Sequence, residues 1–244
     1  MLNSLLCVFT VLLTIYNESE EFCFSNRAGL IYVKGLGNIN TQRFLPNQTF
    51  EIGSRVFRSR KSSVLDVFHS LERGPQALTP KDVSYIGLLL DLPNSEKLLE
   101  IGGGSGSFSI LSSLIFKVRV TSYENNPETF LLFKRNIRRF EVENLVFPVN
   151  EDGMRAEFSD FGAIFIDNPE PWKFLNSDLT GKRVASILPT YSQAEQFSRF
   201  LSKKGFLVNV HQIIDVPMKI SAVGIRPETS ILYHTGFIVS GVLY

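Results

Sequence analysis

Four carboxylates and one glycine-rich turn are the residues of this chain best suited to chemistry. Glu100 directly precedes Ile101-Gly102-Gly103-Gly104-Ser105-Gly106, and Glu124 closes the next apolar run in Ser122-Tyr123-Glu124-Asn125-Asn126. Glycine permits a tight turn and lets the backbone approach a ligand closely. A carboxylate at the end of the following strand can accept hydrogen bonds from both hydroxyls of a ribose. Nicotinamide and flavin enzymes share such turns, and a nicotinamide enzyme also shares the second acid, but it has no use for Glu100. Glu124 has an alternative role as a capping acid before Pro127. A third apolar run leads to Asn150-Glu151-Asp152, where Glu151 is the choice by register for a polar contact to adenine; a loop that binds nothing is the alternative. Asp167 closes a fourth run, in Phe165-Ile166-Asp167-Asn168-Pro169-Glu170-Pro171-Trp172, ahead of a loop that two prolines stiffen.

The elements that must position these residues follow from hydrophobic pattern. After Pro80, apolar strand candidates alternate with helical stretches, as in a parallel sheet covered on both faces. The predicted strands are 97–101, 119–123, 145–149, 163–167, 184–188, 207–214 and 236–242. The clearest helix is 127–140, with Pro127 in its first turn and Phe130, Leu131, Phe133 and Ile137 supplying apolar surface. Earlier in the chain, short β-prone runs (12–16, 21–25, 30–34, 50–57) are punctuated by Asn-Arg, Gly-Leu-Gly-Asn and Pro-Asn. Val64, Leu65, Phe68 and Leu71 then recur at helical spacing up to Arg73-Gly74-Pro75. The predicted organisation is a small β-rich domain over residues 1–62 and a doubly wound α/β domain over 63–244, with 63–80 as a linking helix and loop. The fold class is the Rossmann-like methyltransferase variant, a seven-stranded, mostly parallel sheet whose last strand runs antiparallel. Methyltransferases of this fold place an acid where Glu100 stands, so Glu100, the turn residues Gly102, Gly104, Ser105 and Gly106, Glu124 and, for adenine, Glu151 are the expected site for S-adenosyl-L-methionine.

Beyond the cofactor turn, the chain resembles the tRNA (adenine-N1)-methyltransferase family. The resemblance is carried by Arg73-Gly74-Pro75-Gln76-Ala77-Leu78-Thr79-Pro80-Lys81-Asp82, the turn at 100–106, the stretch 166–172, and Arg226-Pro227-Glu228 through His234-Thr235-Gly236-Phe237. It implies formation of 1-methyladenosine at position 58 of the tRNA T loop, and at position 57 as well in some archaeal members. It also implies tRNA as a partner, a homotetramer and a cytoplasmic setting. Gln76, Thr79 and His234 become candidate substrate contacts. Trp172, Tyr191 and Phe237 are further candidates to line an acceptor pocket, although aromatic residues at sheet edges are more often core. Many bacterial and archaeal members carry tyrosine where this chain has Thr79, so an aromatic there is absent or moved elsewhere. Asp167 is the catalytic candidate. A carboxylate that accepts from the N6 amino group would orient adenine and stabilise the positive charge the ring gains at methylation. N1 has a lone pair and no proton, so its attack needs no strong base.

Two other readings remain open. One is a methyltransferase acting on protein carboxyl groups or a small molecule, which would keep the acids and the glycines. The other is a noncatalytic tRNA-binding subunit, which would be expected to lose them. The net charge of +1 excludes no partner, because polyanions are bound by local patches. Two such patches exist, Arg55/Arg58/Arg60/Lys61 and Arg135/Arg138/Arg139, and a merely solvated face explains either as well. With two cysteines, Cys7 and Cys23, and no CxxC or histidine cluster, neither a disulfide framework nor a metal site is expected. The apolar stretch 5–16 has the length of a signal-peptide core but lacks a basic flank and a small-residue cleavage pattern, so it reads as a buried strand and no membrane partner is expected.

Overall fold

Two β assemblies of different construction divide the chain. The structure, a computed structural model, describes residues 12–74, 78–176, 178–221, 224–229 and 234–244. The first assembly comprises β1 (Leu12–Tyr16), β2 (Glu21–Ser25), β3 (Leu30–Val33), β4 (Gly37–Asn40), β5 (Thr49–Ile52) and β6 (Arg55–Lys61). Four of these form an antiparallel sheet in the order β2-β1-β6-β5, and β3 pairs with β4 as a separate hairpin. Alternate residues Leu13 and Ile15 of β1 point into a small core with Phe24, Phe44 and Phe57. The run predicted over 50–57 is in fact a hairpin, because Gly53, at φ +62°, turns the chain between β5 and β6. The apolar stretch 5–16 is a strand over 12–16; its earlier part lies outside the described residues.

A short helix, α1 (Val64–Ser70), leads into the second assembly. Ser63 and Asp66 close a reciprocal capping box at its start, and Arg60 clamps the Asp66 carboxylate. The elements that follow are α2 (Pro80–Leu89), β7 (Lys97–Ile101), α3 (Ser107–Phe116), β8 (Arg119–Tyr123), α4 (Pro127–Phe140), β9 (Val146–Val149), β10 (Ala163–Ile166), β11 (Arg183–Leu188), α5 (Tyr191–Lys203), β12 (Leu207–His211), β13 (Met218–Ser221), β14 (Gly224–Pro227) and β15 (Phe237–Val242). Seven strands form one sheet in the order β12-β15-β11-β10-β7-β8-β9. β7 through β11 pair in parallel, whereas β15 inserts antiparallel between β11 and β12. This is the Rossmann-like methyltransferase architecture that the pattern predicts. The β13–β14 hairpin, which the sequence pattern did not reveal, stands outside the sheet.

The near-continuous apolar strands have a simple cause, since both faces of the sheet are covered. Leu98, Val120 and Phe165 face a core built with α1 to α4, while Leu99, Ile101, Ile164 and Ile166 face Ala194, Phe197 and Leu201 of α5. The chain runs outward in both directions from β7, to β8 on one side and β10 on the other. That reversal opens a crevice at the carboxyl ends of these strands, the place where doubly wound sheets bind ligands.

Candidate active site

The glycine turn sits in this crevice because backbone atoms crowd it. Gly102 and Gly103 both donate to the Tyr123 carbonyl (2.9 and 3.0 Å), and Asp167 N–H donates to the Ile101 carbonyl (2.8 Å). Gly102 has φ +89°, and a Cβ added there would collide with the Asp167 carbonyl oxygen. Gly106, at φ +83°, starts α3, and a Cβ there would drive into the Phe133 ring of α4. Neither position accepts a side chain, so the close approach of turn, strand end and helix explains these two glycines.

A cavity of about 560 Å³ opens in front of the turn. Glu100, Glu124 and Asp167 all line it, together with Gly102, Gly104 and Ser105. Glu100 is buried, and a single carboxylate oxygen takes hydrogen bonds from Ser109 and from Ser122 (2.6 Å for the latter). Burial pushes its carboxyl up to about 8; the two serine hydroxyls oppose the shift, and the charges of Asp167 and Glu124 add to it. Burial, with Glu124 second, likewise raises Asp167 to about 7. The Asp167 carboxylate accepts no hydrogen bond among the described residues. Glu124 accepts from Gly104 N–H (2.8 Å) and Asn126 N–H (2.7 Å), which leaves roughly two of its four lone-pair positions for a diol. A cavity walled by three mutually repelling carboxylates suits a cation that also carries hydroxyl groups.

Sequence reasoning missed the residue that fastens this wall. Asn136 of α4 is fully buried; its amide donates to the carbonyls of Glu72 (2.9 Å) and Ser105 (2.8 Å), and its oxygen accepts from Glu72 N–H (3.0 Å). It therefore ties the turn to the segment 72–74, whose Gly74 also lines the cavity. Its signal was a polar side chain between Phe133, Ile137 and Phe140 on the apolar face of a strongly amphipathic helix.

The remaining predicted residues fall elsewhere. Glu151 is exposed and absent from the cavity wall; its carboxylate lies 3.9 Å from Arg155. Gln76 lies outside the described residues. Thr79 donates to Asp82 (2.7 Å), and Lys81 bridges Asp82 and Thr235 (2.7 Å each), so the Pro-Lys-Asp and His-Thr-Gly-Phe elements are bound to each other. His234 is exposed and donates from Nε2 to the carbonyl of Pro189 (2.8 Å), a residue of the cavity wall, while Nδ1 accepts from Gln212 (3.1 Å). Its ring and that of Tyr191 pack on Phe237, whereas Trp172 packs against the core on the α5 side of the sheet; none of these four lines the cavity. Cys23 is buried and pushed up to about 11 by that burial, and Cys7 lies outside the described residues. Among the described residues, no group of three or more His, Cys, Asp or Glu is arranged to hold a metal, and no helix is long and apolar enough to cross a membrane.

Comparison with known proteins agrees with this geometry. The family model for protein-L-isoaspartate(D-aspartate) O-methyltransferase matches residues 58–177. The tRNA (adenine(57)-N(1)/adenine(58)-N(1))-methyltransferase of Methanocaldococcus jannaschii is 25% identical over 210 residues, covering 72% of this chain and 74% of that protein. A SAM-dependent O-methyltransferase from Thermotoga maritima superposes with a TM-score of 0.75 at 21% identity, covering 96% of this chain and 93% of that one. The tRNA (m1A58) methyltransferase of Aquifex aeolicus does so with a TM-score of 0.70 at 23% identity, covering 95% and 96%. Fold and site together define an S-adenosylmethionine-dependent methyltransferase, and S-adenosylmethionine is its cofactor. Within that class the likeness runs in two directions, towards enzymes named for adenine N1 of tRNA and towards enzymes named for isoaspartate.

Proposed function

We propose that this methyltransferase acts on N1 of an adenosine in the tRNA T loop, at position 58, with position 57 as a second acceptor to be tested. The observation that carries the reading is the free carboxylate of Asp167 in the cavity wall, in the company of Glu100 and Glu124. An isoaspartyl acceptor is itself a carboxylate, and the charges of Glu124 and of Asp167 as it ionises would repel it. Adenine enters neutral and leaves as a cation, so the same charges favour its product. The limited identity to a tRNA methyltransferase over 72% of the chain points the same way.

In this reading Glu124 takes the ribose hydroxyls of the cofactor, and the turn of Gly102, Gly104, Ser105 and Gly106 supports its amino-acid end beside Glu100. The cofactor supplies an electrophilic methyl group on a sulfonium centre. Asp167 accepts a hydrogen bond from adenine N6, aims N1 and offsets the charge that the ring acquires. His234 holds the Pro189 edge of the cavity and meets substrate only at the rim. Glu151, exposed beside Arg155, has no support as the adenine contact.

The partners that follow are tRNA and further copies of this chain in a homotetramer, in the cytoplasm. Exposed Ile220 and Ile225 on the β13–β14 hairpin and Leu207 on the edge strand β12 offer apolar surface for such an assembly. The test is a direct competition, in which methyl-labelled cofactor is offered to equal amounts of unmodified tRNA and an isoaspartyl peptide. Label is expected in the tRNA, and label in the peptide would refute the reading.

A further inference from the structure

The two arginine clusters of the sequence have different fates in the fold. In the first, Arg55 is held by Glu20 and Arg60 by Asp66 and Glu21, so much of its charge is neutralised internally. In the second, Arg139 turns inward to donate to the Cys23 carbonyl, but Arg135 and Arg138 stay exposed one turn apart on α4. These two face a groove of about 580 Å³, whose opposite wall is the β3–β4 hairpin with Leu30, Tyr32 and Lys34. Among the described residues the only acid lining it is Glu72, which is paired with Arg135 (3.1 Å). Among the described residues, neither Lys34 nor Arg138 has an ion-pair partner. Leu30 and Tyr32 project from one face of β3, opposite to buried Val33, and remain 67% and 64% exposed.

We infer that this groove is an RNA-docking surface, in which Lys34, Arg138 and Arg135 take phosphates and the ring of Tyr32 takes an unstacked base. The inference rests on the proposed action on tRNA. Cations alone would equally serve an acidic peptide, but an aromatic face left open among them is the arrangement that binds a nucleobase and backbone together. The placement also suits delivery to the active site. Glu72 borders the groove and Gly74 borders the cofactor cavity, and two residues of chain span at most about 7 Å. Asn136, from the same helix as the arginines, fastens that segment to the glycine turn. An RNA lying in the groove thus passes beside the Gly74 edge of the cofactor cavity.

The experiment is fluorescence anisotropy with labelled, unmodified tRNA on the full chain, across a salt series, for wild type, Lys34→Ala/Arg138→Ala and Tyr32→Ala. The double variant is expected to bind about tenfold or more weakly and to lower the slope of log K against log salt by about 2, one per lost phosphate contact. Tyr32→Ala is expected to weaken binding about fivefold or more with the slope unchanged. Melting temperature and cofactor affinity by calorimetry should stay at wild-type values, because all three side chains are exposed. Unchanged tRNA affinity in both variants would overturn the inference, as would a wild type that does not bind tRNA, or, with labelled polyglutamate as a second probe, variants that lose it while retaining tRNA. Methylation is read separately. tRNA bound through the groove without 1-methyladenosine would refute the proposed activity and leave the groove standing, whereas full methylation with unimpaired groove variants would do the reverse.

Discussion

Glu100→Gln separates the electrostatic cost of this site from its use. The Glu100 carboxyl titrates at about 8 in the fold against an ordinary 4.5. Because the folded value lies above the unfolded one, the folded protein holds this proton more tightly. The resulting stabilisation is complete below pH 4.5 and is lost as pH rises through 8. Each pH unit between those limits costs up to about 1.4 kcal/mol, so the interval from pH 6 to pH 8 removes about 2 kcal/mol from the cofactor-free protein. For a chain of this size that is a fall in melting temperature of roughly 4–8 °C. Glutamine keeps an oxygen to accept from Ser109 and Ser122 but cannot ionise, so this fall should vanish from the variant. The assay is thermal melting of wild type and variant at half-unit pH steps, with the difference between the two curves cancelling every other titrating group. A cation bound beside Glu100 favours its charged form. Wild-type cofactor affinity should therefore rise between pH 6 and pH 8, by up to tenfold per pH unit for each proton released, and more weakly in the variant. Melting curves that stay parallel across this range would refute the argument that Glu100 is buried at the cost of its charge.

Three further outcomes follow from the same contacts. Asp167→Asn should cut kcat for tRNA methylation about 100-fold while cofactor affinity by calorimetry stays within about twofold, and wild-type kcat/KM should climb as pH rises through about 7, where Asp167 ionises. Gly102→Ala places a Cβ against the Asp167 carbonyl at φ +89°, so thermal or urea unfolding should show a loss of at least about 3 kcal/mol, with cofactor binding abolished. Asn136→Leu strands the Glu72 amide and two carbonyls. It should cost about 2–4 kcal/mol in denaturant unfolding and weaken cofactor binding in calorimetry, because Ser105 loses its tether.

The main sheet was legible because strands buried on both faces, such as Lys97–Ile101 and Ala163–Ile166, are nearly continuous apolar runs with glycine or proline beyond them. The same property located the carboxylates, since Glu100, Glu124 and Asp167 stand at or beside the ends of those runs. Pattern failed where local chemistry imitates something else. β4 begins in Gly37-Asn38, which reads as a turn, and the run over 50–57 conceals the reversal at Gly53. The β13–β14 hairpin buries no face and so carries no alternation, with Met218, Ile220 and Ile225 all exposed. Glu151 was the least determined choice, because a loop residue has no periodicity to fix its direction, and its carboxylate lies near Arg155 outside the cavity wall. Asn136 stood out as a polar residue on an apolar helix face, but its task could not be read there, since its partners lie 64 and 31 residues away. The arginine clusters looked equivalent as text, but folding pairs Arg55 and Arg60 with acids and leaves Arg138 of the second cluster without an ion-pair partner among the described residues.

The most direct test of the account is the identity of the methylated nucleoside. Unmodified tRNA is incubated with the wild-type chain and methyl-labelled cofactor, digested to nucleosides and resolved by chromatography with mass detection. The account predicts label in 1-methyladenosine, and a strong loss of it with Asp167→Asn. Label in any other nucleoside, or 1-methyladenosine formed equally well by Asp167→Asn, would contradict it.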